Sequence, residues 1–324
     1  MKVLHILPFS DAPNSMIFSK RQISSLSDHG FECEIFYLKA RFNPIQLIQQ
    51  VLELRRHIAL SKFDIVHCHY GTITSFISLL GASSVPFVVT FHGSDVNGAN
   101  DISKLRSSLG VFLSKFTSRF TSRNIVSNET LKIKLPVSAQ RKSTVVPMGI
   151  NIHVFKPIDR LACRKKLDWQ EDEFVVLFNA NNPIVKRLDI ALDVKHRLES
   201  MQSDIRFEIL SGHVDSDLIP ILLNAVNCVL VCSDSEGSPT IVKEALACNT
   251  SVVSNDVGDV KTRITGVTGC YLCEQNPEAY VASILKLYYS KEHCNGLEKI
   301  VKDELTDEQI TRKIIDVYSE AVKR

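Results

Sequence analysis

The sequence predicts an α/β protein with two doubly wound parallel sheets, one in each half of the chain. Short apolar runs rich in β-branched residues alternate with helix-period segments, which is typical of a parallel sheet with helical crossovers. A segment rich in proline and glycine near the middle interrupts this alternation, which then starts again. The length of 324 residues exceeds what one compact core usually covers, so two domains of about 150 residues are expected.

In the first half, short buried strands bounded by turn signals alternate with helices. The predicted strands are 3–7, 32–38, 65–69, 87–91 and 125–126, and the predicted helices are 18–28, 44–61, 73–80 and 102–120. The segment 145–157, which contains Pro147, Gly149 and Pro157, is interpreted as the linker. We therefore expect residues 1–150 to form one Rossmann-like domain.

The second half repeats the pattern. Its predicted strands are 174–179, 206–210, 228–232, 251–254 and 270–272, and its predicted helices are 187–201, 217–225, 239–248 and 277–289. A last helix begins after the cap Thr306, with Asp307 and Glu308 in the first turn, where the helix dipole favours carboxylates. We expect residues 151–306 to form the second domain and the helix 307–324 to pack back on the first. Two such domains facing each other would form a ligand-binding cleft at the carboxyl ends of their strands.

Composition and charge narrow the class of protein. The contents of 44% hydrophobic and 23% charged residues are those of an ordinary globular chain. No apolar run approaches the roughly 18 residues of a membrane span, and the start lacks the features of a signal peptide, so a cytoplasmic location is expected. Residues 1–150 carry 17 basic and 9 acidic side chains and the remainder 21 and 27, which suggests domains with different partners. This dispersed excess does not favour nucleic acid.

The cysteines and histidines do not predict a metal site. The nine cysteines are odd in number and scattered, which favours buried thiols over a disulfide framework. Cys270 and Cys273 form a single C-x-x-C without a second pair. His67 and His69 lie on one face of a predicted strand, but no third ligand is evident in the sequence, so we expect no bound metal.

The strongest local pattern is the segment 232–245. A buried strand ends at a polar loop, after which Ser238 and Pro239 are expected as the N-cap and first residue of a helix. The backbone amides from Gly237 to Thr240 would then favour a phosphate or a sugar hydroxyl. Glu236 precedes this helix and Glu244 lies inside it. On this pattern alone, two carboxylates that merely complement the helix dipole or face solvent are an equally good reading.

The segment "SEGSPTIVKEALAC", with Glu236-x7-Glu244, is similar to the signature of retaining glycosyltransferases of the GT-B fold, family 4. Further segments resemble that family in order and spacing and together extend over nearly the whole chain: "FDIVHCHYG" (63–71), "PFVVTFHGSD" (86–95), "VVPMGINIHVFKP" (145–157), "VSNDVGDV" (253–260) and "ITRKIIDVYSEAV" (310–322). The resemblance implies a GT-B architecture, two Rossmann-like domains facing across a cleft.

The resemblance also implies roles for individual residues. Glu244 would bind the ribose hydroxyls of the donor, because a carboxylate accepts two donors at once. Glu236 and His92 would contact the donor sugar, and both are candidate catalytic residues. The remaining contacts implied for the nucleotide sugar come from Gly237, Ser238, Pro239 and Thr240. The segment that contains Gly93 and Asp95 would lie on the acceptor side.

Lys186 is the third candidate catalytic residue. A cation after the strand 174–179 can neutralise the departing pyrophosphate, which is the main electrostatic demand of glycosyl transfer. The family more often has Gly-Arg here, where this chain has Ala180-Asn181. Lys186, with Arg187 and Asn181 as further donor contacts, would take over that role; a solvated basic pair on a helix is the alternative. The first loop, residues 10–15, also lacks the glycines that the family usually has.

The implied reaction is transfer of a hexose-type sugar from a UDP, GDP or ADP sugar to a glycan or lipid-linked acceptor, with retention of anomeric configuration. It would serve polysaccharide or glycolipid assembly, without a metal or other cofactor. A non-catalytic GT-B-like subunit is the alternative, because of the missing arginine and the altered loop. A dinucleotide-dependent oxidoreductase is disfavoured, because no Gly-x-Gly-x-x-Gly follows either first strand.

The segment 102–123 alternates apolar and basic residues on a predicted helix. Docking on the inner face of a membrane is one reading. A helix that packs its apolar side on its own sheet is the other, and the one we favour from the sequence.

Overall fold

The computed structural model describes residues 1–11, 15–39, 43–82, 85–98, 102–202, 204–210, 212 and 214–323. Residues 12–14 of the glycine-free first loop lie outside this described part. The chain divides into two compact units, unit 1 with residues 1–149 and 307–324 and unit 2 with residues 150–306. Each unit is described separately below.

Unit 1 contains a six-stranded parallel sheet in the order β2-β1-β3-β4-β5-β6. Its strands are β1 (Lys2–Pro8), β2 (Glu32–Leu38), β3 (Ile65–His69), β4 (Phe87–Phe91), β5 (Arg123–Val126) and β6 (Ser143–Val145). Its helices are α1 (Ile17–Asp28), α2 (Pro44–Ser61), α3 (Thr72–Gly81), α4 (Ser94–Asn97), α5 (Lys104–Thr117), α6 (Glu129–Lys134) and α7 (Val137–Gln140). The short strand β6 lies partly within the segment that the sequence marked as linker.

Unit 2 contains a five-stranded parallel sheet in the order β11-β10-β9-β7-β8. Its strands are β7 (Phe174–Asn179), β8 (Ile205–Leu210), β9 (Cys228–Val231), β10 (Ser251–Ser254) and β11 (Tyr271–Leu272). Its helices are α8 (Arg160–Lys166), α9 (Pro183–Lys186), α10 (Leu188–Met201), α11 (Ile219–Ala225), α12 (Thr240–Ala247), α13 (Val260–Ile264), α14 (Pro277–Ser290) and α15 (Gly296–Lys302). The two parallel sheets with helical crossovers confirm the predicted fold class.

The last helix, α16 (Asp307–Val322), belongs to unit 1. Its Tyr318 is fully buried and its hydroxyl lies 2.7 Å from Nδ1 of His67 on β3. The hydroxyls of Thr311 and Ser25 lie 2.7 Å apart and link α16 to α1. The chain therefore returns to its first sheet after completing the second.

The strand order places one topological switch in each sheet. In unit 2 the chain passes from β7 outward to β8 and then resumes at β9 on the other side of β7. The carboxyl ends of β7 and β9 are therefore neighbours from which the connections leave in opposite directions. Open α/β sheets bind ligands at such a point. Among the described helices, none combines the length and apolarity needed to cross a bilayer.

Candidate active site

Lys186 and Glu236 meet at the switch point of unit 2. Lys186 is the last residue of α9, which follows β7, and Glu236 lies in the loop between β9 and α12. The ammonium of Lys186 forms an ion pair with Oε1 of Glu236, and the two side chains are only 19% and 16% exposed. The hydroxyl of Ser233 donates to the same carboxylate oxygen at 2.9 Å. Lys186 and Glu236, which were two separate candidates in the sequence, thus form one ion pair.

The loop that carries Glu236 is held by three neighbouring segments. The amide of Asp234 donates to the carbonyl of Val185 at 2.9 Å, which ties this loop to the connection after β7. From the loop after β10, the Asn255 side chain donates to the carbonyl of Ser233 at 3.0 Å. The Gln275 amide donates to Oδ1 of Asp234 at 2.8 Å. Glu236 is therefore positioned by tertiary contacts that local sequence patterns do not reveal.

Arg187 lies beside this pair in a strained conformation. Its backbone adopts φ 58° and ψ 55° between α9 and α10, a left-handed geometry that costs a non-glycine residue about 1–2 kcal/mol. Its guanidinium binds both carboxylate oxygens of Asp189 and also Oδ1 of Asp234. Hydrogen bonds to Asp189, and then to Asp234, raise the pKa of Arg187. Two carboxylates already neutralise Arg187, whereas Lys186 pairs directly with Glu236.

The helix α12 starts one residue later than predicted. Pro239 occupies the N-cap position, α12 begins at Thr240, and no side chain caps it. Ser238 is therefore not the N-cap: its hydroxyl donates to Oδ2 of Asp259 at 2.8 Å and accepts from the ammonium of Lys243 at 3.0 Å. The Ser238 hydroxyl therefore binds the Asp259 carboxylate and does not cap α12. The first amides of α12 still have no side-chain cap, as the predicted anion site requires.

Gly258 brings the loop after β10 against the Glu236 loop. It has φ +60°, and a Cβ at this position would lie 2.7 Å from the carbonyl oxygen of Gly237 and 3.2 Å from Cβ of Glu236. Next to it, Asp259 is buried, and its Oδ1 has no hydrogen-bond partner among the described residues. These contacts identify Gly258 and Asp259 as site residues that the sequence analysis did not select. The Gly-Asp pair in the loop after the predicted strand 251–254 was the available signal.

The other predicted nucleotide-sugar residues lie around the same loops. Glu244 is buried on α12, next to the fully buried Lys243. Asn181 lies in the loop after β7, and its side-chain oxygen is close to Gly212, where a Cβ would approach it to 2.5 Å. The structure thus gathers residues from the ends of β7, β8 and β9 in unit 2, and their individual roles remain predictions.

In unit 1, Asp95 holds the loop after β4. Its carboxylate accepts from the backbone amides of Gly71 at 2.8 Å, Gly93 at 2.9 Å and His92 at 3.1 Å. Asp95 is fully buried, so it fixes the ends of β3 and β4 and does not face an acceptor directly. Gly93, with φ +148°, lies in the region that favours glycine. Any effect of Asp95 on acceptor binding would therefore act through His92 and Gly93.

His92 lies at the end of a row of buried histidines. Its ring is 6.3 Å from that of His69 and 5.6 Å from that of Phe18. Burial lowers its pKa, and the Asp95 charge partly opposes this effect. The lowered pKa favours a neutral imidazole at pH 7, and its Nε2 is a buried ring nitrogen that forms no hydrogen bond with the described residues.

His67 and His69 have a third imidazole beside them, that of His5 on β1, which could not be identified from the sequence. His5, His67 and His69 are fully buried, and one ring nitrogen of each lies within 4.8 Å of the others. However, Thr90 and Tyr318 each lie 2.7 Å from a different ring nitrogen of His67, so this ring is already engaged on both sides. Nδ1 of His5 and Nε2 of His69 are 3.1 Å apart, as in a hydrogen bond. The contacts fit a network of neutral imidazoles in the core.

One Asp-x-Asp triplet, Asp215-Ser216-Asp217, is present in the connection after β8. The carboxylate of Asp215 accepts the amide of Asp217 at 3.1 Å, and the carbonyl of Asp215 accepts the amide of Leu218 at 3.1 Å. The triplet therefore forms the turn into α11. Its presence means that sequence motifs do not decide whether the reaction needs a metal.

Comparison with known families accounts for both units. Residues 14–154 match the model described as Glycosyltransferase Family 4, and residues 160–290 match the model described as Glycosyl transferases group 1. The chain belongs to the family 4 glycosyltransferases of the GT-B fold. This glycosyltransferase therefore has its two family segments in the two units that carry the parallel sheets.

Its curated relatives are distant and longer. The chain is 26% identical over 223 residues to TuaC of Bacillus subtilis, a glycosyltransferase whose name refers to teichuronic acid biosynthesis; the match covers 61% of this chain and 54% of that protein. It is 24% identical over 303 residues to D-inositol 3-phosphate glycosyltransferase of Geodermatophilus obscurus, with 81% of this chain and 67% of the relative covered. The chain thus spans about half to two thirds of these relatives.

Solved structures share the fold at low identity. Sucrose-phosphate synthase from Thermosynechococcus elongatus has a TM-score of 0.80 at 16% identity, with 98% of each chain covered. Anabaena HepE in complex with UDP and glucose has a TM-score of 0.72 at 16% identity, with 98% and 99% covered. UDP-GlcNAc 2-epimerase from Methanocaldococcus jannaschii has a TM-score of 0.63 at 14% identity, with 98% and 99% covered. Because an epimerase also has this fold, the fold alone does not decide the reaction.

Proposed function

We propose that this glycosyltransferase moves a hexose-type sugar from a nucleotide-sugar donor to a hydroxyl of a glycan or lipid-linked acceptor, with retention at the anomeric carbon. The observation that carries the proposal is the Lys186–Glu236 ion pair at the switch point of unit 2. Family membership gives the class of reaction, and the pair supplies charged groups at the place where sheets of this type bind ligands. The names of the relatives, among them an N-acetyl-α-D-glucosaminyl L-malate synthase, also refer to sugar transfer or glycan assembly.

In this reaction the main electrostatic demand is the departing nucleoside diphosphate. Lys186 would bind its phosphate oxygens and remain in contact with Glu236, while the uncapped start of α12 donates backbone amides. Arg187 contributes less, because Asp189 and Asp234 already neutralise it. We propose that this arrangement replaces a divalent metal ion. Glu244 would bind the ribose hydroxyls.

The proposed chemistry is a substitution on one face of the sugar. The bond from C1 to the phosphate oxygen breaks, a bond from C1 to the acceptor oxygen forms on the same face, and the departing phosphate takes up the acceptor proton. Glu236 would hold the sugar ring near C1 with Lys186. His92 would use its available ring nitrogen to accept or donate a hydrogen bond at a donor hydroxyl.

A two-stage measurement tests this proposal. UDP, GDP and ADP are first screened by thermal shift, because a nucleotide at 100 times its dissociation constant stabilises by about 2.7 kcal/mol. The sugars of the best nucleotide are then tested for transfer or slow hydrolysis, with the product analysed for anomeric configuration. We expect Lys186→Met and Glu236→Gln to lower turnover by about 100-fold and Glu244→Gln to weaken nucleotide binding by about 10-fold.

The exposed ion pair Lys195–Glu199 on α10 provides matched controls. Lys195→Met and Glu199→Gln remove the same groups from the same unit and should retain the wild-type rate. If wild-type protein binds a nucleotide sugar but never turns it over, the chain is a non-catalytic binding subunit, which is the alternative. If turnover yields only an epimerised donor, or an inverted product, the proposed reaction is wrong.

The helix α5 exposes several large apolar side chains. Leu105 is 83% exposed, and Leu109 and Phe112 are also exposed, while Ser114 and Thr117 are the buried residues of α5. The expectation that this helix packs its apolar side on the sheet is therefore wrong. With exposed Lys104 nearby, this surface suits an anionic lipid bilayer, and we propose that it holds the enzyme at the inner membrane face beside a lipid-linked acceptor.

Co-sedimentation with phosphatidylglycerol vesicles checks this placement. Leu105→Ser and Phe112→Ser should lower the bound fraction, as should high salt, whereas Leu192→Ser, at an exposed position on α10 in the other unit, should not. Equal binding of all four proteins would refute the proposed membrane surface without affecting the proposed reaction.

A further inference from the structure

Two cysteines of unit 2 lie far apart in sequence and adjacent in space. Cys270 directly precedes β11, and Cys294 lies in the segment between α14 and α15. Their sulfur atoms are 4.0 Å apart. A disulfide requires about 2.05 Å, so a movement of about 2 Å would bring the two sulfurs into bonding range. We propose that Cys270 and Cys294 are a redox-active pair that closes into an intrachain disulfide.

Contacts on both sides of the pair keep the two segments in register. The amide of Thr268 donates to the side chain of Asn295 at 3.0 Å. The hydroxyl of Tyr271 donates to Glu292 at 2.7 Å. Since Thr268 contacts Asn295 and Tyr271 contacts Glu292, the segments that carry Cys270 and Cys294 are held side by side. Their proximity therefore follows from the fold and does not depend on one side-chain rotamer.

The surroundings allow both access and the small movement. Cys294 itself is buried, but residues 291–293 and 295 around it are exposed and form no regular secondary structure. Cys270 is half-buried and accepts the amide of Val252 at 3.3 Å. The exposed segment can therefore shift toward the anchored cysteine and admit a small oxidant. Fully buried thiols such as Cys228 lack this access.

Electrostatics distinguishes the two sulfurs. A hydrogen bond from the Cys270 thiol lowers the pKa of Cys294 in spite of its burial. The same interaction, together with burial, raises the pKa of Cys270. Because the thiolate is the nucleophile in disulfide exchange, Cys294 reacts first.

With glutathione disulfide as oxidant, the exchange has two steps. The Cys294 thiolate attacks one sulfur of glutathione disulfide, forms a mixed disulfide and releases one glutathione thiolate. Cys270 then loses its proton and attacks the Cys294 sulfur, which releases the second glutathione. The net change converts two protein thiols and one glutathione disulfide into one protein disulfide and two glutathione molecules.

The closed loop would contain β11, α14 and also Gln275, which contacts the Glu236 loop through Asp234. The cross-link itself would be at the opposite end of β11. Cys270 is at the amino end of β11, whereas the candidate active site is built at the carboxyl ends of the strands. We therefore expect the disulfide to stabilise unit 2 without abolishing nucleotide binding. Closing the loop 270–294 should raise the melting temperature of unit 2 by about 10 °C.

The test uses the full chain, incubated with glutathione disulfide and compared with the reduced protein. We expect loss of two of the nine thiols, a Cys270–Cys294 peptide in a non-reducing digest analysed by mass spectrometry, and the rise in melting temperature followed by the fluorescence of Trp169. Cys294→Ser, and independently Cys270→Ala, should lose all three effects. Cys273→Ser, which removes the nearer C-x-x-C cysteine, should behave as wild type.

Several outcomes would overturn the proposal. These are a Cys270–Cys273 linkage, a glutathione adduct on Cys294 that never closes, two thiols that remain unreacted, or a disulfide that lowers the melting temperature. Each is read from thiol chemistry and melting alone, so the result is independent of the proposed sugar transfer.

Discussion

Mild acid should unfold unit 1 before unit 2, because three buried histidines of unit 1 must remain neutral. Burial lowers the pKa of His5 from 6.5 to about 3. Burial, with repulsion from the neighbouring imidazoles, holds the pKa values of His67 and His69 well below 6.5. In the unfolded chain all three titrate near their ordinary value. Below that value the unfolded state binds more protons than the folded state, so stability falls as the pH falls.

The loss of folding free energy at pH 5 depends mainly on the pKa of each histidine in the unfolded chain. At pH 5.0 a group with a pKa of 6.5 unfolded and about 3 folded favours the unfolded state by about 2 kcal/mol. The pKa values of His67 and His69 are lowered too, so both residues shift the equilibrium in the same direction. The contribution of His5 alone is already a substantial part of the roughly 5–15 kcal/mol that stabilises a typical domain.

Urea unfolding at pH 7.5, 6.5, 5.5 and 5.0 measures this loss. Trp169 is the only tryptophan of the chain and lies in unit 2, so its fluorescence follows that unit. The far-ultraviolet circular dichroism follows both units, and the transition that Trp169 does not share belongs to unit 1. His5→Gln should reduce the pH dependence of that transition by about one proton, whereas His29→Gln, at an exposed position after α1, should not.

Two results would refute the reasoning. One is a unit 1 transition whose stability is the same at pH 7.5 and 5.0. The other is an identical pH dependence in the wild type and His5→Gln, which would mean that folding does not lower the pKa of His5.

Three further substitutions test packing in the two units. Gly258→Ala should lower turnover by at least about 10-fold, because the new Cβ meets the Gly237 carbonyl; Gly266→Ala has a similar positive φ but nothing within 4 Å, and its activity should match wild type. Asp95→Asn should destabilise unit 1 by about 2–4 kcal/mol in urea unfolding, because three backbone amides lose a charged acceptor; a loss below 0.5 kcal/mol would contradict this. Arg164→Met should destabilise unit 2 by about 3 kcal/mol, measured by Trp169 fluorescence, because the buried Ala225 carbonyl loses its donor; an unchanged midpoint would contradict this.

The sequence predicted the fold well where the hydrophobic pattern is continuous. The strand 65–69 matches β3, because five buried residues in a row admit little else. It missed β6, which has only three residues and owes its existence to pairing with β5. The apolar residues of α5 were placed correctly on a helix, but the choice of buried face was wrong. Periodicity shows that the apolar residues share one side of the helix, but whether that side is buried depends on the neighbouring helices and strands.

The start of α12 shows how tertiary contacts override a local rule. Ser238 before Pro239 is a strong N-cap pattern. Asp259 comes from the next strand connection, 21 positions away, and takes the Ser238 hydroxyl. The same limitation hid His5, because only the adjacency of β1 and β3 brings its ring to His69. Local patterns in one sequence do not show which strands become neighbours in the sheet.

The site was predicted as a pair of glutamates, and the structure relates Glu236 to a different partner. Glu236 and Glu244 share one loop and helix, but Glu236 is bound to Lys186, 50 residues away. If Lys186 also binds the departing phosphate, as proposed, its ammonium would lie between that phosphate and the Glu236 carboxylate. Glu244 is buried on α12 beside the fully buried Lys243. We therefore propose that Lys186 and Glu236 lie at the reacting centre, whereas the two glutamates define the sequence motif.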